Sequence, residues 1–283
     1  MISAAELTSL ASSHDIISIG VLADDLRRER HGVDTTFVRV AITASDPGAA
    51  VVRPPSAGEL RIVGVPGSRT DAVARVREVA AVAAGAAITG FSLADLEALA
   101  ARERVTLRAL LEELRAAGLE LVAEAPMDRL QDPQRSIEEV NIAGLSLARL
   151  TVELASADPL PLLKAVAELQ RTVAVVRAFA PLPRRVNPAA PTTGFEDVKH
   201  VALARLVCDN VPSIQVDWSL YGPKLAQVAL TVGADDVDGV SAEDESPEGR
   251  RRAPLEEIRR NIIAAGQRPV ERNGRFERLP AGH

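Results

Sequence analysis

Three carboxylates fall within four consecutive positions in GADDVDG, at Asp235, Asp236 and Asp238, with Glu243 and Asp244 close behind. Such a group can bind a cation, accept hydrogen bonds from substrate hydroxyls, or hold a proton whose affinity the neighbouring charges set. The same residues can instead cap the following helix and satisfy loop amides, and the sequence leaves both readings open. Arg177 and Asp217 lie inside the apolar runs VAVVRAF and SIQVDWS. A charge in such a run must be paired or must face a polar cavity, so these two are candidates for a mutual salt bridge or for lining a site. Tyr221 and Trp218, the sole Tyr and Trp, flank the turn after SIQVDWS. Tyr221 is a candidate ligand contact, whereas Trp218 reads first as core packing.

Other chemistry is sparse. The chain has one cysteine, Cys208, and one thiol cannot close an internal disulfide, complete a Cys-ligated zinc site or hold an iron–sulfur cluster. Its setting, VALARLVCDNV, reads as a buried face. His14, His31, His200 and His283 are scattered without metal-ligand spacing, so no metal site is expected, and His200 reads as an exposed helical residue. No GxSxG, P-loop or dinucleotide fingerprint is present. RIVGVPGSRTD (61–71) places two glycines before a helix, an arrangement able to receive an anion.

The elements that must position these residues alternate along the chain. Strands are predicted at 35–42, 59–65, 86–91, 119–124, 147–154, 173–179, 213–219 and 234–240. Helices are predicted at about 68–84, 92–117, 133–143, 158–170, 194–210, 222–232 and 254–265. Residues 43–58 read as a loop, with Pro and Gly throughout, and 241–254 (SAEDESPEGRRRAP) as a solvated surface crossing. Alternation of this kind implies a parallel sheet, and eight strands favour an α/β fold of the (β/α)8 TIM-type barrel, complete or short of a unit. Residues 1–32 form an N-terminal helical extension, with Asp15 as the cap of the second helix and Gly32 as its stop. The barrel occupies 33–283.

Composition narrows the function class. The 283 residues are 47% hydrophobic but only 2% aromatic, so the core must be built mainly from Ala, Val and Leu. A net charge of −6 argues against nucleic acid as a partner. The first residues carry no basic region followed by an apolar run, and no stretch reaches the length needed to span a bilayer. A cytoplasmic location and no membrane partner are the expectation.

The C-terminal third carries a resemblance. DNVPSIQVDWSLYGPKLAQVALTVGADDVDG (209–239) and AAGQRPVERNGRFE (264–277) resemble the C-terminal region, about 190–280 here, of the radical-SAM aminofutalosine synthases of menaquinone biosynthesis. They resemble more loosely the cyclic dehypoxanthine futalosine synthases and the coenzyme F420 ring-forming enzymes. IGVLADDLRRERHG (19–32), ELRIVGVPG (59–67) and residues 88–120 resemble the same family more thinly. The resemblance implies a barrel whose mouth takes small, hydroxyl-bearing, nucleoside-like molecules, with Asp235, Asp236, Asp238, Arg177, Asp217 and Tyr221 as the candidate binding residues.

The departures bear on the chemistry. The family holds a 4Fe–4S cluster on three cysteines, CxxxCxxC, in the loop after its first barrel strand. Aligned through TTFVRV, those positions fall at about Ala49, Arg53 and Ser56. The family's glycine-rich turn after the fourth strand corresponds here to AEAPMDRL (123–130), with Glu124 and Pro126 adding bulk where backbone would approach a ligand. The expectation is a member without the cluster, with S-adenosylmethionine binding in doubt. It would be a pseudoenzyme, acting as a binding or partner subunit that meets a small polar ligand, a protein of the menaquinone pathway or a second copy of itself. The alternative is an active non-radical enzyme using the Asp235/Asp236/Asp238 group.

Overall fold

Asp15 accepts a hydrogen bond from the Ser18 amide at 3.1 Å and so starts a helix that ends at Gly32, where φ is +59°. Similar local signals set the other helices. Thr106 caps from the Ala109 amide, Asp132 precedes Pro133 at the first helical position, and Thr193 and Glu196 form a reciprocal capping box. The computed structural model describes residues 4–156, 158–188, 191–245 and 252–280.

Among these residues the helices are α1 (Ala4–Ser12), α2 (Ile16–His31), α3 (Arg69–Val82), α4 (Leu93–Arg102), α5 (Leu107–Ala117), α6 (Pro133–Ile142), α7 (Leu160–Val173), α8 (Gly194–Val207), α9 (Trp218–Leu230) and α10 (Pro254–Ala264). The strands are β1 (Asp34–Ala44), β2 (Glu59–Val63), β3 (Ala87–Ser92), β4 (Leu121–Pro126), β5 (Ser146–Leu154), β6 (Val176–Arg185), β7 (Ser213–Asp217), β8 (Asp236–Ser241) and β9 (Arg268–Arg272). Each of β2 to β7 pairs in parallel with the next, and β1 pairs with both β8 and β2. This closes a complete (β/α)8 barrel. No helix among the described residues is long and apolar enough to cross a membrane.

Strand alternation is resolved in an unusual way. Leu60 and Ile62, Ile214 and Val216, and Val237 face the helices, and each contributes about 1.5–3 kcal/mol by leaving water. Their alternates, Glu59 and Arg61, Gln215 and Asp217, and Asp236 and Asp238, are polar and also buried. The inside of the barrel is therefore built largely from paired charges where Val, Ile and Leu usually dominate.

Three differences from the sequence expectation have local causes. The helix read at 92–117 is two helices, because Arg104 adopts φ +57° and Thr106 restarts the helix as a cap. The strand read at 213–219 stops at Asp217, whose side chain caps α9 from the Leu220 amide at 3.0 Å. β9 was absent from the expectation because RPVER is polar and contains Pro. Pro is tolerated there because β9 is the edge strand of the sheet, laddered to residues 34–38 of β1. The surface crossing read at 241–254 follows β8 and precedes α10, and its residues 246–251 lie outside the described residues.

β9 and the turn after it clasp the bottom of the barrel. Arg272 donates two hydrogen bonds to Asp236, at 2.6 and 2.7 Å, and stacks on Phe276 with its guanidinium 4.0 Å from the ring centre. Arg268 and Arg278 both reach Asp34, and Arg275 forks onto Glu120. Gly274 is required by close approach, since a Cβ there would sit 2.9 Å from Ala87 Cβ. Arg272→Ala should cost about 3 kcal/mol or more in urea unfolding, because it strands a buried carboxylate. Replacing both partners, Asp236→Leu with Arg272→Met, should recover most of that loss. A double variant no more stable than Arg272→Ala would show that the pair itself is not the source.

Candidate functional site

The three carboxylates of GADDVDG point in three directions. Asp235 leaves the barrel: it accepts from Arg205 of α8 and from the Ile214 amide at 2.8 Å, with His31 Nε2 3.5 Å away. Asp236 faces the bottom, held by Arg272, by Gln215 at 2.6 Å and by Thr36 at 2.5 Å. Asp238 alone faces the middle of the interior, where Arg61 forks onto it at 2.7 and 2.9 Å and Arg149 presses against it. Glu59 completes this layer, accepting from Arg61 at 2.6 Å and from Thr89 at 2.6 Å. Of the acidic residues after β8, Asp244 pairs with Arg39 on the flank.

Above Asp238 a second charged layer opens into a cavity of about 370 Å³ at the C-terminal ends of the strands. Asp217, the register partner of Asp238, accepts from Arg184 at 2.5 Å and from Ser219 at 2.7 Å. Arg184 also reaches Glu124 at 3.3 Å. Gly239, at φ +72°, makes room for this arrangement, because a Cβ there would stand 2.8 Å from Asp217 Oδ1. Ile42, Val63, Phe91 and Leu220 form the upper wall. The C-terminal mouth is where barrels of this class carry their chemistry.

The placement of the candidate residues follows from strand length and parity. Asp217 and Asp238 belong to the stacked charged layers of the interior. Arg177 does not: it is exposed near the start of β6. β6 runs to Arg185, beyond the 173–179 read from sequence, and Arg184, past an irregularity in the β5–β6 register, takes the place beside Asp217. Tyr221 lies beneath the rim, its hydroxyl donating to the Pro183 carbonyl, and burial pushes its phenol up. Trp218 is buried in the core. Arg61, Arg149, Arg184 and Glu59 were missed as site residues. The signal that could have found them is the one applied to Arg177, a charge inside an apolar strand, as in ELRIV and LARLTVEL.

The loop after β1 is organised by α3. Arg75 is wholly buried and donates to the carbonyls of Ala44 and Ala49, both at 2.7 Å, and to Thr43. Glu78 accepts from the Gly48 amide at 3.1 Å. Ser56 donates to the Ala242 carbonyl. Cys208 is buried at the end of α8 with its thiol 3.3 Å from the Leu163 carbonyl, and burial pushes the thiol up. His200 is half-buried, against the expectation of exposure. The start of α3 is filled by Ser68 and Asp71, so the glycine-flanked turn before it is self-capped.

The charged layers set the acid stability. Burial pushes the Glu59 carboxyl up, but Arg61 and Arg149 outweigh it and hold it at about 2. Burial likewise opposes Arg184 at Asp217, which still rests at about 2. Both values lie below those of the unfolded chain, so this stability is complete above about pH 4.5 and is lost as pH falls toward 2. Urea midpoints should therefore drop steeply between pH 4.5 and 2.5, and Asp217→Asn should flatten that drop; equal slopes in the two proteins would refute the assignment. Cys208→Ala should cost about 1 kcal/mol and change nothing else.

Comparison with known proteins places this geometry. The CofH/MqnC C-terminal region family matches residues 181–282. Aminodeoxyfutalosine synthase of Thermus thermophilus is 36% identical over 114 residues, 36% of this chain and 30% of that protein. Cyclic dehypoxanthine futalosine synthase of Streptomyces coelicolor is 26% identical over 218 residues, 68% of this chain and 55% of that protein. The matches thus span between about a third and just over half of those two proteins. In fold, methylornithine synthase superimposes with a TM-score of 0.68 at 12% identity, covering 95% of this chain and 94% of that one. The FeFe-hydrogenase maturase HydG from Carboxydothermus hydrogenoformans gives 0.67 at 11% identity, over 95% and 76%. The C-terminal region of the chain thus matches the CofH/MqnC family, and the chain is similar to the futalosine synthases.

Proposed function

We propose that this chain is a non-radical member of its family, a barrel that binds a small polar ligand at its mouth and serves as a binding or partner subunit in futalosine-pathway menaquinone biosynthesis. The loop after β1 carries the reading. The positions aligned with the family's three thiolates are Ala49, Arg53 and Ser56, and the sole thiol, Cys208, is buried on α8. Neither Ala, Arg nor a hydroxyl engaged with the Ala242 carbonyl can replace a thiolate on iron. The buried Arg75 guanidinium, bound to the Ala44 and Ala49 carbonyls, adds a fixed positive charge and holds the loop as ordinary protein structure. These residues do not fit a 4Fe–4S cluster, and no step through one is derived.

The mouth supports the binding half of the reading. It keeps a cavity with charged groups on its floor and an aliphatic wall, the mixture that orients a small molecule. A mechanism that uses Asp235, Asp236 and Asp238 together finds no support, because each is neutralised by a different arginine in a different part of the fold.

Anaerobic reconstitution with iron and sulfide tests the first half. The protein should stay colourless and bind no stoichiometric iron, and its thermal midpoint should be unmoved by S-adenosylmethionine. A brown protein with cluster charge-transfer absorbance would overturn the reading. For the second half, a screen of small polar molecules should yield a ligand that raises the midpoint, because selective binding to the native state stabilises it.

A further inference from the structure

The charged interior is not neutral, and the excess sits at the mouth. Above the Asp236–Arg272 pair, the barrel encloses Glu59, Glu124, Asp217 and Asp238 against Arg61, Arg149 and Arg184. Four carboxylates face three guanidiniums, so one negative charge is left over. At the rim Asp95 is matched by Arg129 at 3.0 Å and adds nothing.

Geometry locates the excess. Glu59 and Asp238 are sealed in and each meets both Arg61 and Arg149. Asp217 takes Arg184 at 2.5 Å and two further bonds, from Ser219 and the Leu220 amide. Glu124 has only the far side of the same Arg184, at 3.3 Å, and its side chain is 30% exposed to the cavity. Its strand neighbour in register, Ser92, lines the same cavity, and its Oγ is buried with no hydrogen-bond partner. Above them Ile42 and Leu220 are 57% and 47% exposed, an aliphatic wall left wet.

From this we infer that the ligand of the mouth is a cationic amine with an apolar body: its ammonium meets Glu124 and Ser92, and its hydrocarbon part covers Ile42, Val63 and Leu220. This rests on the mouth being a ligand site. An ammonium donates three hydrogen bonds and supplies the missing positive charge where water is already partly excluded. A carboxylate or phosphate would add to the excess. A neutral alcohol could bond Ser92 but would leave Glu124 unmatched. The cavity suits a molecule of roughly ten non-hydrogen atoms, at the small end of ligand sites.

Three isosteric probes separate the possibilities: 3-phenylpropan-1-amine, 3-phenylpropan-1-ol and 3-phenylpropanoate, titrated calorimetrically into the intact protein at pH 7 and low salt. The amine should bind about tenfold or more tightly than the alcohol, and the carboxylate should not bind. Glu124→Gln should bring the amine to within about twofold of the alcohol, whereas Ile42→Ser should weaken both by the same factor. If Glu124→Gln fails to fold, as judged by its thermal midpoint, Ser92→Ala replaces it and should weaken the amine about threefold. Equal binding of amine and alcohol, or an amine preference that survives in a folded Glu124→Gln or Ser92→Ala variant, overturns the inference. Preferential binding of the alcohol or the carboxylate, weakened by Ile42→Ser, overturns the amine while leaving the mouth a ligand site. No binding by any probe to folded protein overturns both.

Discussion

Charge that water cannot reach must be matched by opposite charge, and the interior of this barrel is arranged around that constraint. Asp238 holds both Arg61 and Arg149, and both arginines are also within reach of Glu59. Burial and the nearby Arg61 push the Arg149 guanidinium down, and Glu59 opposes them. Such networks add little net stability over an apolar core, but removing one member leaves a stranded charge at a cost of several kcal/mol. Strands β2, β4, β5, β6, β7 and β8 are thereby tied to one another through side chains as well as through the ladder.

The same constraint divides the molecule into a bottom and a mouth. At the bottom, Asp236, Asp34 and Glu120 find Arg272, Arg268, Arg278 and Arg275, all from the segment after α10. These pairs sit at the N-terminal ends of the strands, where barrel residues serve stability. The two stretches that most resemble the futalosine synthases, GADDVDG and RPVERNGRFE, meet in this clasp through Asp236 and Arg272. Much of the resemblance therefore concerns how the barrel is closed.

At the mouth the pairing is looser. Arg184 is shared between Asp217 and Glu124, and Glu124 keeps part of its surface in the cavity. In the loop after β1, Arg75 takes the Ala44 and Ala49 carbonyls and Glu78 the Gly48 amide. The strand ends bring to the mouth an under-matched carboxylate, a buried hydroxyl and an Arg184 Nε without hydrogen-bond partners, and an aliphatic wall.

Much of this was legible in the sequence because it depends on local signals. Asp15 and Gly32 bound α2, and the alternation of β-branched runs with Ala/Leu-rich segments implied the barrel. Which charges meet was not legible, because partners lie far apart in the chain: Arg61 and Asp238 are separated by 177 positions, Arg39 and Glu271 by 232. The length of β6 and the irregularity in its register with β5 decided that Arg184 and not Arg177 meets Asp217, and no local pattern marks either. The three adjacent aspartates looked like one site because sequence proximity resembles spatial proximity. In a strand, successive side chains leave on opposite faces, and those two apart stand in different layers, so only closure of the barrel could send Asp235, Asp236 and Asp238 to three separate arginines.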